Sequence, residues 1–260
     1  MWQGYFNALP GKALQTGCFL REYFFPFGCS VCGADLADPE EAWYGLCGEC
    51  HAGIDRDLSE SRTGKTCDFC GRPLISEHDR CLSCRNGEEH IFDKVTVFFP
   101  YTGKYRKLLA AYKFDKNLAL GNFFIGKIKD EIEYGSILQE AGIVQGTSIV
   151  PVPPRPGKIR EAGWDQVEFL ARLLERETKN TGSLSVSRCL KRLPSQSQKE
   201  LGLKNRRTNL KGRIVPVRKV PKTAIVIDDV MTTGSTLDAC AAALKESGTE
   251  KVYCLCLFYD

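Results

Sequence analysis

A chain of 260 residues, 43% hydrophobic and 26% charged, can bury one large core or two small ones and has the composition of an ordinary globular protein. No apolar run reaches about 18 residues, which excludes a membrane-spanning helix; the start, MWQGYFNALPGKALQ, lacks a basic stretch followed by a continuous apolar one, which argues against a signal peptide and for the cytoplasm. The net charge of +4 conceals two unlike parts, since residues 1–90 hold 8 Lys/Arg against 14 Asp/Glu (−6) and residues 91–260 hold 28 against 18 (+10).

Residues 1–26 are rich in large apolar side chains, among them Trp2, Phe6, Leu14, Phe19, Tyr23 and Phe25. They predict a helical stretch lying across the next module or, alternatively, a partner-docking surface. Cys18 stands alone there and is expected to be a small buried apolar residue.

The chain holds thirteen cysteines, and a reducing compartment does not keep structural disulfides. Nine precede Arg85, and eight of these form four C-x-x-C pairs: Cys29/Cys32, Cys47/Cys50, Cys67/Cys70 and Cys81/Cys84. Two thiolates three residues apart grip one side of a tetrahedral ion, and a second pair completes the shell, so eight cysteines predict two Zn(Cys)₄ sites. Gly33 and Gly71, each directly after a pair, suit the tight knuckle that turns backbone N–H groups toward sulfur.

Sequential pairing leaves loops of 14 and 10 residues, as in zinc ribbons and treble clefs, but an interleaved cross-brace satisfies the same count. Four regular pairs suit zinc better than an iron–sulfur cluster. With every site full, His51, His78 and His90 are predicted on the surface. A complete four-cysteine shell leaves no position for a reactive water, so this zinc module, residues 1–90, is expected to supply stability or a binding surface. Its negative balance argues against nucleic-acid binding by this part alone.

From Ile91 the texture changes. IFDKVTVFFPY reads as a strand, and 103–130 as a helical segment broken near Asp115–Asn117, forming a cap over a nucleotide-type fold. Thr147–Val152 reads as a short buried strand that runs into a proline-rich loop carrying Arg155, Lys158 and Arg160. A pyrophosphate would fit there, or the loop is a solvated basic turn. A helix is predicted over 163–177 and a strand over 183–193. Between Lys191 and Arg213 stand eight basic residues and one acid, Glu200, with no aromatic. That segment suits a lid over anionic ligands or an electrostatic contact for nucleic acid, without base stacking.

The chemistry concentrates in Thr223–Cys240. A β-branched run, Thr223–Ile227, predicts a buried strand; Asp228 and Asp229 follow it; then comes the hydroxyl-rich turn Thr232, Thr233, Gly234, Ser235 and Thr236, opening an apolar helix. Unpaired N–H groups and the positive dipole end of a helix favour a phosphate, and Gly234 permits close approach. Two carboxylates at a strand's carboxyl end can accept hydrogen bonds from a vicinal diol. With strands at 214–217 and 252–258, the alternation of elements predicts an α/β fold, a parallel doubly wound sheet over 91–260.

In this order, the acidic pair and hydroxyl-rich turn resemble the ribose-phosphate signature of type I phosphoribosyltransferases, which bind phosphoribosyl pyrophosphate. The whole chain resembles the ComF family, phosphoribosyltransferase-like proteins linked to DNA uptake. The resemblance rests on the cysteine pairs, on Tyr101, Gly103, Lys113 and Phe114, on Pro151-Val152-Pro153, on Gly163 and Gln166, on Gln198, Leu201, Arg206 and Asn209, and on Asp-Asp-Val-x-Thr-Thr-Gly. Where the family has Arg-Gly-Phe-Asn-Gln, this chain has Ala162-Gly163-Trp164-Asp165-Gln166, and Pro156-Gly157 stands where basic residues are usual.

The resemblance implies that Asp228 and Asp229 hold the ribose hydroxyls and support magnesium, that residues 232–236 hold the 5-phosphate, that Arg155, Lys158 and Arg160 meet pyrophosphate, and that Arg206 and Asn209 close a lid. Thr232 stands where enzymes salvaging 6-oxopurines place an Asp, which disfavours that activity. The alternative it implies is a non-enzymatic adaptor that binds single-stranded DNA and a DNA-import ATPase.

Overall fold

The computed structural model describes residues 28–67, 70–74, 77–85, 90–135, 146–178, 184–194 and 212–260. The aromatic N-terminal stretch, Cys18, most of the basic 191–213 segment, Arg206 and Asn209 lie outside them.

Among the described residues the cysteine-rich part contributes α1 (Pro39–Tyr44), α2 (Gly48–Thr63) and α3 (Leu82–Arg85). Asp38 starts α1 by accepting from the N–H groups of Glu40 and Glu41, the usual service of an N-cap carboxylate. Then follow β1 (Lys94–Pro100), α4 (Gly103–Lys113), α5 (Ala119–Tyr134), β2 (Thr147–Pro151), α6 (Lys158–Ala162), α7 (Gln166–Thr178), β3 (Ser185–Val186), β4 (Leu190–Arg192), β5 (Ile214–Pro216), β6 (Thr223–Met231), α8 (Ser235–Glu246) and β7 (Lys251–Tyr259).

Five strands form one sheet in the order β1-β7-β6-β2-β3, and every pairing in it is parallel. Alternation along the strands sends side chains to two faces. Ile225, Ile227, Tyr253, Leu255 and Leu257 join α4, α5 and α7 in one core; Ala224, Val226, Val252, Cys254 and Cys256 join α8 in the other. The predicted α/β architecture is therefore present, with helices on both sides of a parallel sheet.

Four local expectations need correction. The 183–193 segment is two strands, not one: β3 adds to the main sheet, whereas β4 turns away to pair antiparallel with β5. Consequently 214–217 does not complete the main sheet. Lys158–Ala162 is a short helix, bounded by Gly157 and Gly163 at φ of 84° and 77°, and not an open loop. The strand predicted to stop at Ile227 runs on through both aspartates to Met231, because β7 is equally long and pairs with it up to Met231–Tyr259.

The cysteine-rich part does not sit apart. Cys29, Leu46 and Ile54 belong to the first core, and Cys67 and Cys70 to the second. The predicted surface histidines divide. His78 is exposed; His51 is half-buried, edge-on to the rings of Tyr44 and Phe123 at 5.0 and 5.2 Å; the His90 side chain is 5% exposed, stacked on Phe92 with Nδ1 2.8 Å from Asp238. Aromatic neighbours and, for His90, a half-buried carboxylate, which spacing does not reveal, take them inward.

Candidate functional site

The thiols fall into two groups, Cys29/Cys32/Cys47/Cys50 and Cys67/Cys70/Cys81/Cys84, each with all four sulfurs within 4.8 Å of one another. This is the sequential pairing, and the cross-brace is excluded. Gly33 and Gly71 take φ of 79° and 70°, and their N–H groups return to the carbonyls of Cys29 and Cys67 at 2.8 and 2.9 Å. The Cys81 N–H donates to Cys67 Sγ at 3.3 Å, the backbone support that a metal-bound thiolate receives. Four thiolates at this spacing fit tetrahedral zinc.

The second site is a cavity of about 420 Å³ at the carboxyl ends of β2 and β6, where open parallel sheets take ligands. Its walls include Asp228, Asp229, Thr232, Thr236, Arg155 and Lys158, so the cavity unites six of the residues picked out by sequence. Arg160 is exposed and lies outside its walls. Thr233, Gly234 and Ser235 form the turn behind it. Thr233 Oγ1 and Ser235 Oγ are 2.6 Å apart, and Gly234, at φ 74°, precedes the first residue of α8.

The aspartates are adjacent and both buried, yet differ in company. Asp229 Oδ2 accepts from Lys113 Nζ at 3.0 Å and from Gln166 Nε2 at 2.5 Å. Burial alone would raise its pKa, but the ammonium and these hydrogen bonds outweigh it and hold the carboxyl below its ordinary value. Among the described residues no cation forms a salt bridge with Asp228; burial first, then the charge of Asp229, push it well above the carboxylate range. Its Oδ1 accepts from the Asp229 N–H at 2.9 Å. The two neighbouring carboxyls are thus pushed in opposite directions, Asp228 up by burial and Asp229 down by Lys113 and Gln166.

Lys113 ends α4 and Gln166 begins α7, so two helix termini converge on Asp229. The buried Tyr112 hydroxyl donates to the Gln166 carbonyl at 2.7 Å and fixes that convergence. Asp165 caps α7 through the N–H groups of Val167 and Glu168 and holds Lys158 Nζ at 2.6 Å; Lys158 also reaches Gln166 Oε1 at 2.6 Å. The Lys158 charge is therefore met by Asp165 within the site.

Lys113 and Gln166 were visible in the sequence as motif residues without a role. Asp165 and Arg192, which also line the cavity, were visible only as a departure from the family motif and as a member of a basic segment. Phe114, 70% exposed, stands at the same cavity.

A five-stranded parallel α/β sheet preceded by two four-cysteine clusters is the phosphoribosyltransferase-like fold with an N-terminal zinc-binding module. No protein-family model matches the chain. It is 26% identical to Competence protein F of Haemophilus influenzae over 236 residues, 88% of this chain and 95% of that protein, and 26% identical to Competence protein ComFC of Bacillus subtilis over 253 residues, 93% and 94%. The DNA utilization protein YhgH of Escherichia coli O157:H7 is 25% identical over 235 residues, 88% and 96%. The resemblance to the ComF family is thereby borne out across most of each chain. Among the described residues no helix is long and apolar enough to cross a membrane.

Proposed function

We propose that the chain binds phosphoribosyl pyrophosphate with magnesium at the end of β6, and that it serves DNA uptake or utilization, as the names of its relatives indicate for them. The observation that carries this reading is the divided acidic pair facing the same cavity as Thr232 and Thr236. A ribose 2,3-diol offers two donors and two acceptors. Asp229, held by Lys113 and Gln166, accepts from one hydroxyl, and the Asp228 carboxyl meets the other. The turn at 232–236, with the first N–H groups of α8, takes the 5-phosphate.

Hard oxygen donors in a polar cavity suit magnesium, which when bound with the pyrophosphate would neutralise the leaving group. The side chains of Asp228 and Asp229 would orient the ribose hydroxyls, Arg155 would face the pyrophosphate, and Lys113 would keep Asp229 ionised. Arg206 and Asn209 are proposed to close over the ligand. If the chain turns over, it displaces pyrophosphate at the anomeric carbon, and its contribution is positioning and charge stabilisation. Calorimetry with phosphoribosyl pyrophosphate and magnesium tests binding: heat is expected from the natural chain and none from the Asp228→Ala/Asp229→Ala variant. Absence of heat from the natural chain overturns the reading. Isotope exchange between pyrophosphate and the sugar donor tests turnover.

A second reading is favoured by the engagement of Lys158 with Asp165, which leaves the pyrophosphate loop short of charge, together with the exposed Phe114. In it the protein is an adaptor that binds single-stranded DNA and a DNA-uptake ATPase. A steep fall of DNA affinity with salt, unaffected by phosphoribosyl pyrophosphate, would support it.

A further inference from the structure

The second four-cysteine cluster is linked to the 232–236 turn through one residue, Arg72. Cys67 and Cys70 are buried in the core beneath α8, and the Cys67 N–H donates to the Arg72 carbonyl at 2.7 Å, so the knuckle that would hold the metal also fixes the backbone of Arg72. Gly71 leaves this knuckle no room to shift toward the sheet. A Cβ there would stand 2.5 Å from the Val95 carbonyl oxygen of β1.

From that fixed base the Arg72 guanidinium lies over the Tyr259 ring, 5.7 Å from its centroid. Its Nη2 donates to the carbonyl of Thr232 at 3.3 Å and also to that of Asp260. Asp260 is itself tied to the end of β6, its N–H donating to the Met231 carbonyl at 3.1 Å. One cation therefore binds the ends of both central strands and the first residue of the turn.

The consequence follows from peptide geometry. In a trans peptide the carbonyl and the next N–H point in opposite directions. Arg72, by holding the Thr232 carbonyl, also sets the direction of the Thr233 N–H, on the side of that peptide away from the guanidinium. A second support comes from His90, just beyond the cluster. Its ring lies where a Cβ on Gly234 would be, with Cε1 2.6 Å away, and Asp238 of α8 accepts from both His90 Nδ1 and the Ile91 N–H at 2.8 Å.

We propose that Arg72 is a positioning residue for the 232–236 turn, and that through it metal in the Cys67/Cys70/Cys81/Cys84 site sets the affinity of the turn for a sugar phosphate. The affinity part rests on the reading that this turn takes the 5-phosphate; the coupling of cluster to turn does not. Linkage makes the effect reciprocal: metal in the cluster tightens sugar phosphate, and sugar phosphate slows metal loss.

The test compares the zinc-loaded natural chain with Arg72→Met, which keeps the apolar stem but no donor, and with Arg72→Lys, which restores one charged donor. Zinc content of two per chain and a cooperative melt establish that each variant is folded. Loss of a charge-assisted hydrogen bond predicts roughly tenfold weaker binding of ribose 5-phosphate and of phosphoribosyl pyrophosphate alike in Arg72→Met, partly regained in Arg72→Lys, with affinity for pyrophosphate alone unmoved. Without any ligand, amide exchange at 233–236 should quicken about tenfold in Arg72→Met while the interior of β6 stays unchanged. Ribose 5-phosphate should slow chelator-driven release of one of the two zinc ions in the natural chain only. Equal exchange in the natural chain and Arg72→Met overturns the proposal, as does equal sugar-phosphate affinity. Should the natural chain bind no sugar phosphate, the functional reading falls, and the ligand-free exchange still decides whether Arg72 couples cluster and turn.

Discussion

Asp228 and Asp229 are neighbours in sequence and line one cavity, yet they differ in company. Asp229 meets the Lys113 ammonium at 3.0 Å, and Asp228 is buried beside the charge of Asp229. Their pH effects therefore oppose. The depressed pKa of Asp229 contributes stability that is present above the unfolded carboxylate value of about 3.9 and lost as pH falls through the folded one. The raised pKa of Asp228 contributes stability that is full below about 3.9 and lost as pH rises through its folded value. Asp228→Asn, which keeps the acceptor for the Asp229 N–H, should raise stability at neutral pH by about 1–3 kcal/mol and flatten its pH dependence, read from denaturant midpoints at pH 5 and pH 8. Asp229→Asn should cost about 1–2 kcal/mol, since it leaves Lys113, itself about one-third exposed, without its counter-ion. Gly234→Ala meets both a left-handed backbone and the His90 ring; it should cost at least about 1–2 kcal/mol and weaken sugar-phosphate binding, measured by thermal melting and calorimetry. The acidic pair and the hydroxyl-rich turn were legible because their chemistry is contiguous. The partner that splits the pair was not, because Lys113 lies 116 residues from Asp229 and only the fold unites them.

At the scale of elements, strand and helix order could be read wherever a single periodicity ran uninterrupted, as in α4, α5 and β6. It failed where one apolar run serves two purposes. Cys189 and Leu190 are buried like the residues of a sheet strand, yet the chain leaves the main sheet after Val186 to form the β4–β5 hairpin. Burial alone does not say which sheet a strand joins. Elements also hold the site through their ends: α7 begins at Gln166, whose carbonyl is fastened by the Tyr112 hydroxyl of α4. Tyr112→Phe removes the side-chain donor from the Gln166 carbonyl and should lower stability by about 1 kcal/mol in chemical denaturation, and it should loosen Gln166 on Asp229.

For the molecule as a whole, composition suggested two parts, and charge divides them near residue 90. Packing does not divide there, since cysteines of both clusters are core residues of the sheet. Charge reports a surface, whereas a boundary is set by which apolar faces are shared, and no local pattern displays that. Removal of zinc should therefore lower the melting temperature of the entire chain in one cooperative transition, followed by circular dichroism with and without chelator. A sheet that melts unchanged after metal loss would contradict this.

The sheet also has two borders to defend. Unpaired backbone at a border invites a strand from another molecule. At one side β3 offers only two residues, too short a template to recruit a neighbour. At the other, β1 runs for seven residues, and it is the Cys67–Cys70 knuckle that crowds its backbone at Val95. Metal loss should thus do more than soften the fold: demetallated chains should self-associate edge to edge, appearing as growing light scattering that zinc added early reverses and zinc added late does not.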